Sequence, residues 1–144
     1  MNARARRSAT LRRSRSSPVR GLTLDTGALV AFERADRSFV ARLKEGLASG
    51  RRITLPTVVI AEAWRGGERS ARLAPLVESC VVETLQESLA RRAGEMLARV
   101  RGSTAIDAIV AASAAQRGDV VLTSDPDDLS ALAEQLAGVD VIRV

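Results

Sequence analysis

The fold is decided by residues 22–29, which read LTLDTGAL. The first three of these residues form a short apolar run that is typical of a buried strand. Asp25 follows at once, as a natural N-cap of a helix that is predicted at about Gly27–Arg34. The stretch therefore predicts a strand that passes directly into a helix, with a carboxylate at the junction.

The same alternation of short apolar runs and helical patterns continues along the chain. Further strands are predicted at Ile53–Leu55, Val81–Leu85, Val120–Leu122 and Val139–Val144. Further helices are predicted at Asp36–Ser49, Thr57–Arg65, Ser70–Ser79, Glu87–Val100, Thr104–Gln116 and Pro126–Leu136. Short strands separated by helices predict one α/β domain over residues 21–144, with a central parallel sheet of about five strands and helices on both faces. Ligands of such sheets bind outside the carboxyl ends of the strands.

The composition excludes much catalytic chemistry. The 144 residues include no histidine and a single cysteine, Cys80. A Ser-His-Asp triad, a Cys-His pair, a histidine-ligated zinc ion and an internal disulfide are therefore excluded. Any metal ion that side chains bind has to be held by carboxylates, which prefer hard cations such as Mg²⁺ and Mn²⁺.

The positive charge is concentrated at the N-terminus. The net charge is +5, but residues 1–20 contain seven arginines and no acid, which leaves −2 on the rest. This basic segment is predicted to be a disordered tail that serves as a solvated extension, a nucleic-acid-binding arm or a targeting segment. It lacks the apolar run of a secretory signal, and no long uncharged stretch follows, so a cytoplasmic protein without a membrane span is expected.

Four acids stand where a solvated charge is not expected. Asp25 and Asp125 each follow an apolar strand, and capping of the next helix is the simplest interpretation of both. Glu62 and Asp107 each lie among apolar residues of a predicted helix. A carboxylate buried in such a helix is destabilising unless it is paired or binds a metal ion. A buried ion pair or an exposed stripe on the helix is the alternative for these two.

These segments resemble the PIN-domain ribonucleases and, within them, the VapC-like toxins of toxin–antitoxin pairs. The resemblance rests on LDTGAL at 24–29, VIAEAW at 59–64, IDAIVAA at 106–112 and VLTSD at 121–125. It implies a PIN-like fold, cleavage of RNA (often transfer RNA), inhibition by an antitoxin that covers the site, and a homodimer.

The resemblance also implies a set of site residues. Asp25, Glu62, Asp107 and Asp125 would form an acidic cluster at the carboxyl edge of the sheet and bind one or two Mg²⁺ or Mn²⁺ ions, with Thr123 supporting the cluster. Asp127 and Asp128 are additional acids near the fourth position, which leaves that position open.

The expected reaction is hydrolysis of a phosphodiester bond by metal-activated water. Converging carboxylates repel one another and raise one another's pKa, and a divalent ion relieves this repulsion while activating water. Arg65, Arg69 and Arg72 follow the Glu62 helix and are candidates for contacts to RNA phosphates, although a solvated helix face explains them equally well.

The aromatic residues are few. Phe32, Phe39 and Trp64 are the only ones, and their helical spacing predicts that all three lie mostly in the core. Recognition of RNA by shape and phosphates is therefore favoured over stacking on bases.

Three other functions are compared with this one. A phosphoacceptor signalling module requires a lysine near the last strand, but the only lysine, Lys44, lies in an early helix. A phosphatase of the haloacid-dehalogenase type requires a second aspartate at position 27, which is Gly27. The remaining alternative is a PIN-like module that binds RNA or protein without catalysis, and metal-dependent cleavage separates it from the nuclease.

Overall fold

The structure, a computed structural model, describes residues 19–136 and 138–143. The predicted tail lies outside these residues except for Val19 and Arg20, and so does Val144 of the predicted last strand. The described chain forms five strands: β1 Leu22–Leu24, β2 Ile53–Pro56, β3 Val81–Glu83, β4 Val120–Thr123 and β5 Asp140–Arg143. It forms seven helices: α1 Thr26–Glu33, α2 Arg37–Ala48, α3 Thr57–Ala63, α4 Gly67–Ser79, α5 Glu87–Leu97, α6 Ala105–Arg117 and α7 Pro126–Ala133.

All five strands are parallel and lie in the order β3-β2-β1-β4-β5. The predicted α/β fold with a central parallel sheet is thereby confirmed. Leu22 of the central strand β1 lies opposite Ile53 on one side and Val120 on the other. The chain builds outward from β1 to β3 and then returns to β4, so its path across the sheet reverses between β1 and β4. In open parallel sheets the ligand crevice lies at such a reversal.

The helices form two layers around the sheet. Helix α1 packs against α2, α3 and α4, whereas α6 packs against α5, α7 and the strands β1, β2 and β4. The central strands are buried along their whole length because both of their faces are covered. Residues 108–114 of α6 are also all buried, since their small side chains let this helix lie close to its neighbours. None of the helices among the described residues has the length and apolar character that crossing a bilayer requires.

Several element boundaries differ from the prediction by one to three residues, and two of these differences have a clear local cause. Pro56 was expected to stop β2, but it is the last residue of that strand and lies in register with Glu83. Helix α4 begins at Gly67 instead of Ser70, because Gly66 has a φ of 77° and reverses the chain. The Ser70 hydroxyl fixes this turn by accepting the Gly66 N–H at 2.7 Å.

A largely buried polar network joins the end of α6 to the sheet. The Arg117 guanidinium donates to Asp119 at 2.8 Å and also to Glu83. Asp119 is 3% exposed and accepts a second hydrogen bond from the Thr23 hydroxyl at 2.8 Å. Arg117 thus ties α6 to the sheet and compensates two carboxylates that are largely withdrawn from water.

Arg20 connects the start of the described chain to β5. Its guanidinium donates to the carbonyl oxygens of Gly118 at 2.9 Å and Gly138 at 2.7 Å, and it forms an ion pair with Asp140. Arg20, two residues before β1, is therefore part of the folded unit.

Candidate active site

A cleft of about 330 Å³ opens at the carboxyl edge of the sheet. All four predicted acids line it, although they come from four separate parts of the chain. The lining residues are Asp25, Thr26, Gly27, Val30, Glu62, Thr104, Asp107, Asp125 and Asp128. Asp25 and Asp125 follow β1 and β4, so the cleft lies where the chain's path across the sheet reverses.

Asp25 is the buried acid of the cleft. Its side chain caps α1, as predicted, because it accepts the Ala28 N–H at 2.8 Å. The residue is only 7% exposed. The pKa of this carboxyl is raised from 3.8 to about 6, mainly by burial and to a smaller extent by the nearby charge of Asp107, against the hydrogen bonds from Thr123 and Ala28 that lower it. The ionised form of Asp25 is therefore destabilised in the folded protein when no cation lies beside it.

Thr123 joins the two strand-end acids. Its fully buried hydroxyl accepts the Asp125 N–H at 2.9 Å and lies in hydrogen-bonding contact with the Asp25 carboxylate. One side chain thus orients the carboxylate of Asp25 and the backbone that carries Asp125. Asp125 occupies the N-cap position of α7, but its side chain makes no capping hydrogen bond, so the capping interpretation is wrong for this carboxylate.

Asp107 lies on the opposite wall of the cleft, in the first turn of α6. It forms a capping box with Thr104: the Thr104 hydroxyl accepts the Asp107 N–H at 3.2 Å, and the Asp107 carboxylate accepts the Thr104 N–H at 3.3 Å. Neither alternative given for Asp107, an ion pair or an exposed stripe, describes it. The sequence signal was present, since Thr-x-x-Asp before an apolar run is typical of a helix start.

Glu62 completes the cleft from α3. It is exposed, because α3 has barely two turns and only Val59 is buried among its seven residues. The exposed-stripe interpretation therefore describes the local environment of Glu62. An exposed side chain can still change its rotamer and reach into the cleft without any repacking of the core.

Two further residues of the cleft were not singled out in advance. Asp128 lines it whereas Asp127 does not, so of the two additional acids only Asp128 faces the site. The Thr26 hydroxyl is buried and has no hydrogen-bond partner among the described residues. A buried hydroxyl without a partner is costly, and its place in the cleft leaves it available to a ligand or a water molecule.

The three predicted phosphate contacts lie outside the cleft lining. Arg69 forms an ion pair with Glu33 at 2.6 Å. The Arg65 guanidinium turns back towards the end of α3 and donates to the carbonyl oxygens of Ala61 and Trp64. No contact of Arg72 distinguishes between an RNA contact and a solvated face.

The prediction for the aromatic residues is correct in part. Phe39 is fully buried, and Phe32 packs against it edge-to-face with ring centroids 6.4 Å apart. Trp64 was expected mostly in the core, but it is 41% exposed. Helical spacing does not apply to it, because α3 ends at Ala63 and Trp64 has an extended backbone. An aromatic surface is therefore available next to the helix that carries Glu62.

The residues of the cleft fit a hard divalent cation. The donors are all oxygens, and a cation would relieve the destabilised charge of Asp25. Among the described residues, however, no three acids lie close enough together to form a ready-made ion site. Asp25 and Asp107 each use one oxygen at a helix N-terminus, and Glu62 and Asp125 are exposed. Binding of an ion therefore requires the two exposed side chains to turn inward.

Comparison with known proteins gives an independent assignment of the fold. The profile of the PIN domain matches residues 22–135. One similar solved structure is VapBC2 from Rickettsia felis bound to a promoter DNA fragment, with 16% sequence identity, a TM-score of 0.66 and coverage of 85% of this chain and 98% of that chain. A second is VapC20 from Mycobacterium tuberculosis, a sarcin-ricin loop cleaving toxin, with 23% identity, a TM-score of 0.60 and coverage of 83% and 98% of the two chains. A third is VapBC-5 from Mycobacterium tuberculosis, a member of the VapBC family of toxin-antitoxin systems, with 26% identity, a TM-score of 0.58 and coverage of 88% and 100%. No curated protein is similar enough in sequence to count as a relative.

Proposed function

The chain belongs to the PIN-domain family, and from this premise we propose that it is a metal-dependent endoribonuclease that hydrolyses phosphodiester bonds of RNA. One observation supports the proposal most directly. Asp25, Glu62, Asp107 and Asp125 come from distant parts of the sequence and line a single cleft at the carboxyl edge of the sheet. Mere helix caps do not require a shared cleft.

These four carboxylates are the proposed ligands of Mg²⁺ or Mn²⁺. A bound ion of this kind supplies positive charge that offsets the repulsion of the acids, activates water and stabilises the charge on the leaving oxygen. Asp25 is the fixed member of the set, because burial, the Ala28 N–H and the Thr123 hydroxyl hold its carboxylate in one orientation. Glu62 and Asp125 are the adjustable members, since both are exposed.

The composition of the chain limits which groups can accept a proton and which can contact RNA near the cleft. The sequence has no histidine, so carboxylates are the groups at this site that can accept a proton near neutral pH. The raised pKa of Asp25, about 6, brings this carboxyl close to that range. The exposed ring of Trp64 adds a stacking surface for a base to the phosphate contacts expected from the sequence.

The partners that we propose follow from the similar structures. VapBC-5 is a member of a family of toxin-antitoxin systems, and VapC20 is a toxin that cleaves the sarcin-ricin loop. We therefore propose that this chain is the toxin of such a pair and that an antitoxin covers its cleft. The proposed substrate is a structured RNA such as transfer or ribosomal RNA, and the proposed oligomeric state is a homodimer.

A second function is a PIN-like module that binds RNA or protein without catalysis. The observation in its favour is that the described residues form no ready-made ion site, while Asp25 and Asp107 serve as helix caps. The two functions differ in whether a divalent ion binds and whether RNA is cut.

Cleavage of a mixed pool of transfer and ribosomal RNA tests the proposal. The purified chain is incubated with Mn²⁺, with Mn²⁺ and excess EDTA, and as the Asp107→Asn variant. Asp127→Asn is the matched control, because Asp127 is exposed and lies next to the cleft without lining it. Discrete products with wild type and with Asp127→Asn, but not with EDTA or Asp107→Asn, would support the nuclease. An absence of products together with an unchanged melting temperature on addition of Mn²⁺ would favour the binding module.

A further inference from the structure

A second depression adjoins the acidic cleft along α1. It has a volume of about 120 Å³ and shares two lining residues with the cleft, Gly27 and Val30. Its other lining residues are Ala31, Arg34, Asp36 and Ser124. The cleft therefore continues over the first turn of α1 towards a guanidinium group, so a ligand can extend from the acids to a cation.

We propose that this depression binds the RNA phosphate adjacent to the phosphate that is cut, and that Arg34 is its main contact. This inference rests on the proposed nuclease function. It gives the path of the RNA strand on the protein when the scissile phosphate lies at the carboxylates. The Arg34 guanidinium offers paired N–H donors to phosphate oxygens, and the Ser124 hydroxyl on the opposite side offers a further donor. The two cavities adjoin at Gly27 and Val30, so a strand whose scissile phosphate lies at the acids can continue along α1 into the depression.

The charges around Arg34 favour an anion. Arg34 is exposed, and no carboxylate of the described residues lies within ion-pairing distance of it. Its nearest acid in sequence, Glu33, is already paired with Arg69, and the charge of Arg72 also lowers the pKa of that carboxyl. Three arginines therefore surround one glutamate at this end of α1, which leaves an excess of positive charge beside the acidic cleft.

One acid within the depression has to be accounted for. Asp36 lines it, but its carboxylate accepts the Phe39 N–H at 2.9 Å and caps α2. A carboxylate at a helix N-terminus is partly compensated by the helix dipole. Asp36 therefore opposes an incoming phosphate less than an unengaged acid would.

Gly27 lies where the two cavities meet, at a close approach to Ser124. A Cβ atom at this position would lie 2.4 Å from the Ser124 hydroxyl oxygen and 2.9 Å from the Ser124 backbone nitrogen. The first turn of α1 and the segment after β4 therefore approach each other as closely as a residue without a side chain permits. A larger residue would fill the space that joins the cleft to Arg34.

The arginines suggested by the sequence compete poorly for this role. Arg69 is engaged with Glu33, and Arg65 is engaged with carbonyl oxygens of α3. Neither lines the cleft or the depression. Arg34 was not among the sequence candidates. It directly follows α1, and only the folded structure shows that it lines a depression next to the acidic cleft.

The test compares RNA binding by Arg34→Ala and by Arg37→Ala, both in the full chain with the additional change Asp107→Asn, which prevents cleavage. Arg37 is an exposed arginine three residues further on that lines neither cavity. The probe is a fluorescent single-stranded RNA in Mg²⁺ buffer at several salt concentrations. Arg34→Ala should lower the affinity about tenfold and reduce the slope of log K against log salt by about 0.7, as expected for one lost phosphate contact on a single strand. Arg37→Ala should leave both unchanged, and Arg34→Lys should restore the slope and part of the affinity.

A second arm locates the phosphate. With the intact acids, Arg34→Ala should raise KM about tenfold at little change in kcat, and a substrate with one uncharged methylphosphonate next to the cut should lose this sensitivity to Arg34. Equal affinity and slope for wild type and Arg34→Ala, or equal losses with Arg37→Ala, would overturn the inference while leaving the nuclease intact. Absence of cleavage by the wild type would instead refute the proposed function, and absence of RNA binding would refute both.

Discussion

Replacing Asp25 with asparagine should stabilise the metal-free protein at neutral pH. Burial raises the pKa of this carboxyl from 3.8 to about 6 in the folded state. The folded protein therefore binds this proton more tightly than the unfolded chain does, and ionisation of Asp25 opposes folding. A difference of about 2 pKa units, at about 1.4 kcal/mol for each, corresponds to about 3 kcal/mol of unfolding free energy.

The pH range of the effect follows from the direction of the shift. The stabilisation by the protonated carboxyl is fully present below the unfolded pKa of about 4 and is lost as the pH rises through about 6. Asparagine stays neutral throughout and can still accept the Ala28 N–H as an N-cap. Wild type and variant should therefore be similar in stability near pH 4, and the variant should be more stable by about 3 kcal/mol above pH 7.

Urea denaturation in EDTA at a series of pH values measures this difference. Asp127→Asn is the control, because Asp127 is exposed and lines no part of the cleft; it should follow the wild type at every pH. Added Mn²⁺ should raise the stability of the wild type more than that of Asp25→Asn, since a bound ion compensates the charge that the variant lacks. A difference between wild type and variant that stays the same from pH 4 to pH 8 would refute the assignment of a strained charge at this position.

Three other substitutions probe the surroundings of the site. Arg117→Ala leaves two largely buried carboxylates without their cation and should lower the unfolding free energy by about 3–5 kcal/mol in urea, and a loss below about 1 kcal/mol would show that water replaces the guanidinium. Gly27→Ala should lower the unfolding free energy by about 1–3 kcal/mol, because the added Cβ meets Ser124. Gly94→Ala should raise it by about 0.5–1 kcal/mol, because Gly94 lies inside α5 next to open space; equal melting temperatures of the two variants would contradict the close approach at Gly27. Thr123→Val removes the hydroxyl that lowers the pKa of Asp25, so the cleavage rate should fall and the pH profile of cleavage should move to higher pH. Thr123→Ser should keep the wild-type rate and profile, and a Thr123→Val profile identical to the wild type would show that the hydroxyl is not engaged during cleavage.

The parallel sheet could be predicted because its strands are unusually plain in sequence. Three of them, β1, β2 and β4, are buried on both faces and read as short apolar runs between helices. A cap at Asp25 could be named as a candidate for the same local reason, since a carboxylate directly after a strand and before a helix is a natural N-cap. Local patterns of this kind depend only on neighbouring residues.

Features that depend on tertiary contacts were predicted less well. Trp64 has helical spacing in the sequence but lies beyond the end of α3, so its exposure could not be derived from periodicity. Asp125 has the sequence of a helix cap, yet the Thr123 hydroxyl binds the Asp125 backbone N–H and the carboxylate makes no cap. The environment of Glu62 stayed open between a buried and an exposed position, because the sequence does not tell which face of a short helix points to solvent; the structure shows that it is exposed. In these cases the end of a helix, a nearby hydroxyl or exposure to solvent decides the environment of the side chain, and periodicity alone does not reveal any of them.

The central position of β1 also affects how the protein emerges during synthesis. β1 is made first, but one of its two neighbours, β4, begins only at Val120. At about 5–20 residues per second, about 5–20 s pass between the synthesis of these two strands. Throughout that interval the nascent chain has only one of the two strand ends that line the cleft, so it holds Asp25 without Asp125. The ribosome therefore synthesises residues 22–119 before the cleft can form, and a fragment that stops before Val120 lacks Asp125 and with it one wall of the cleft.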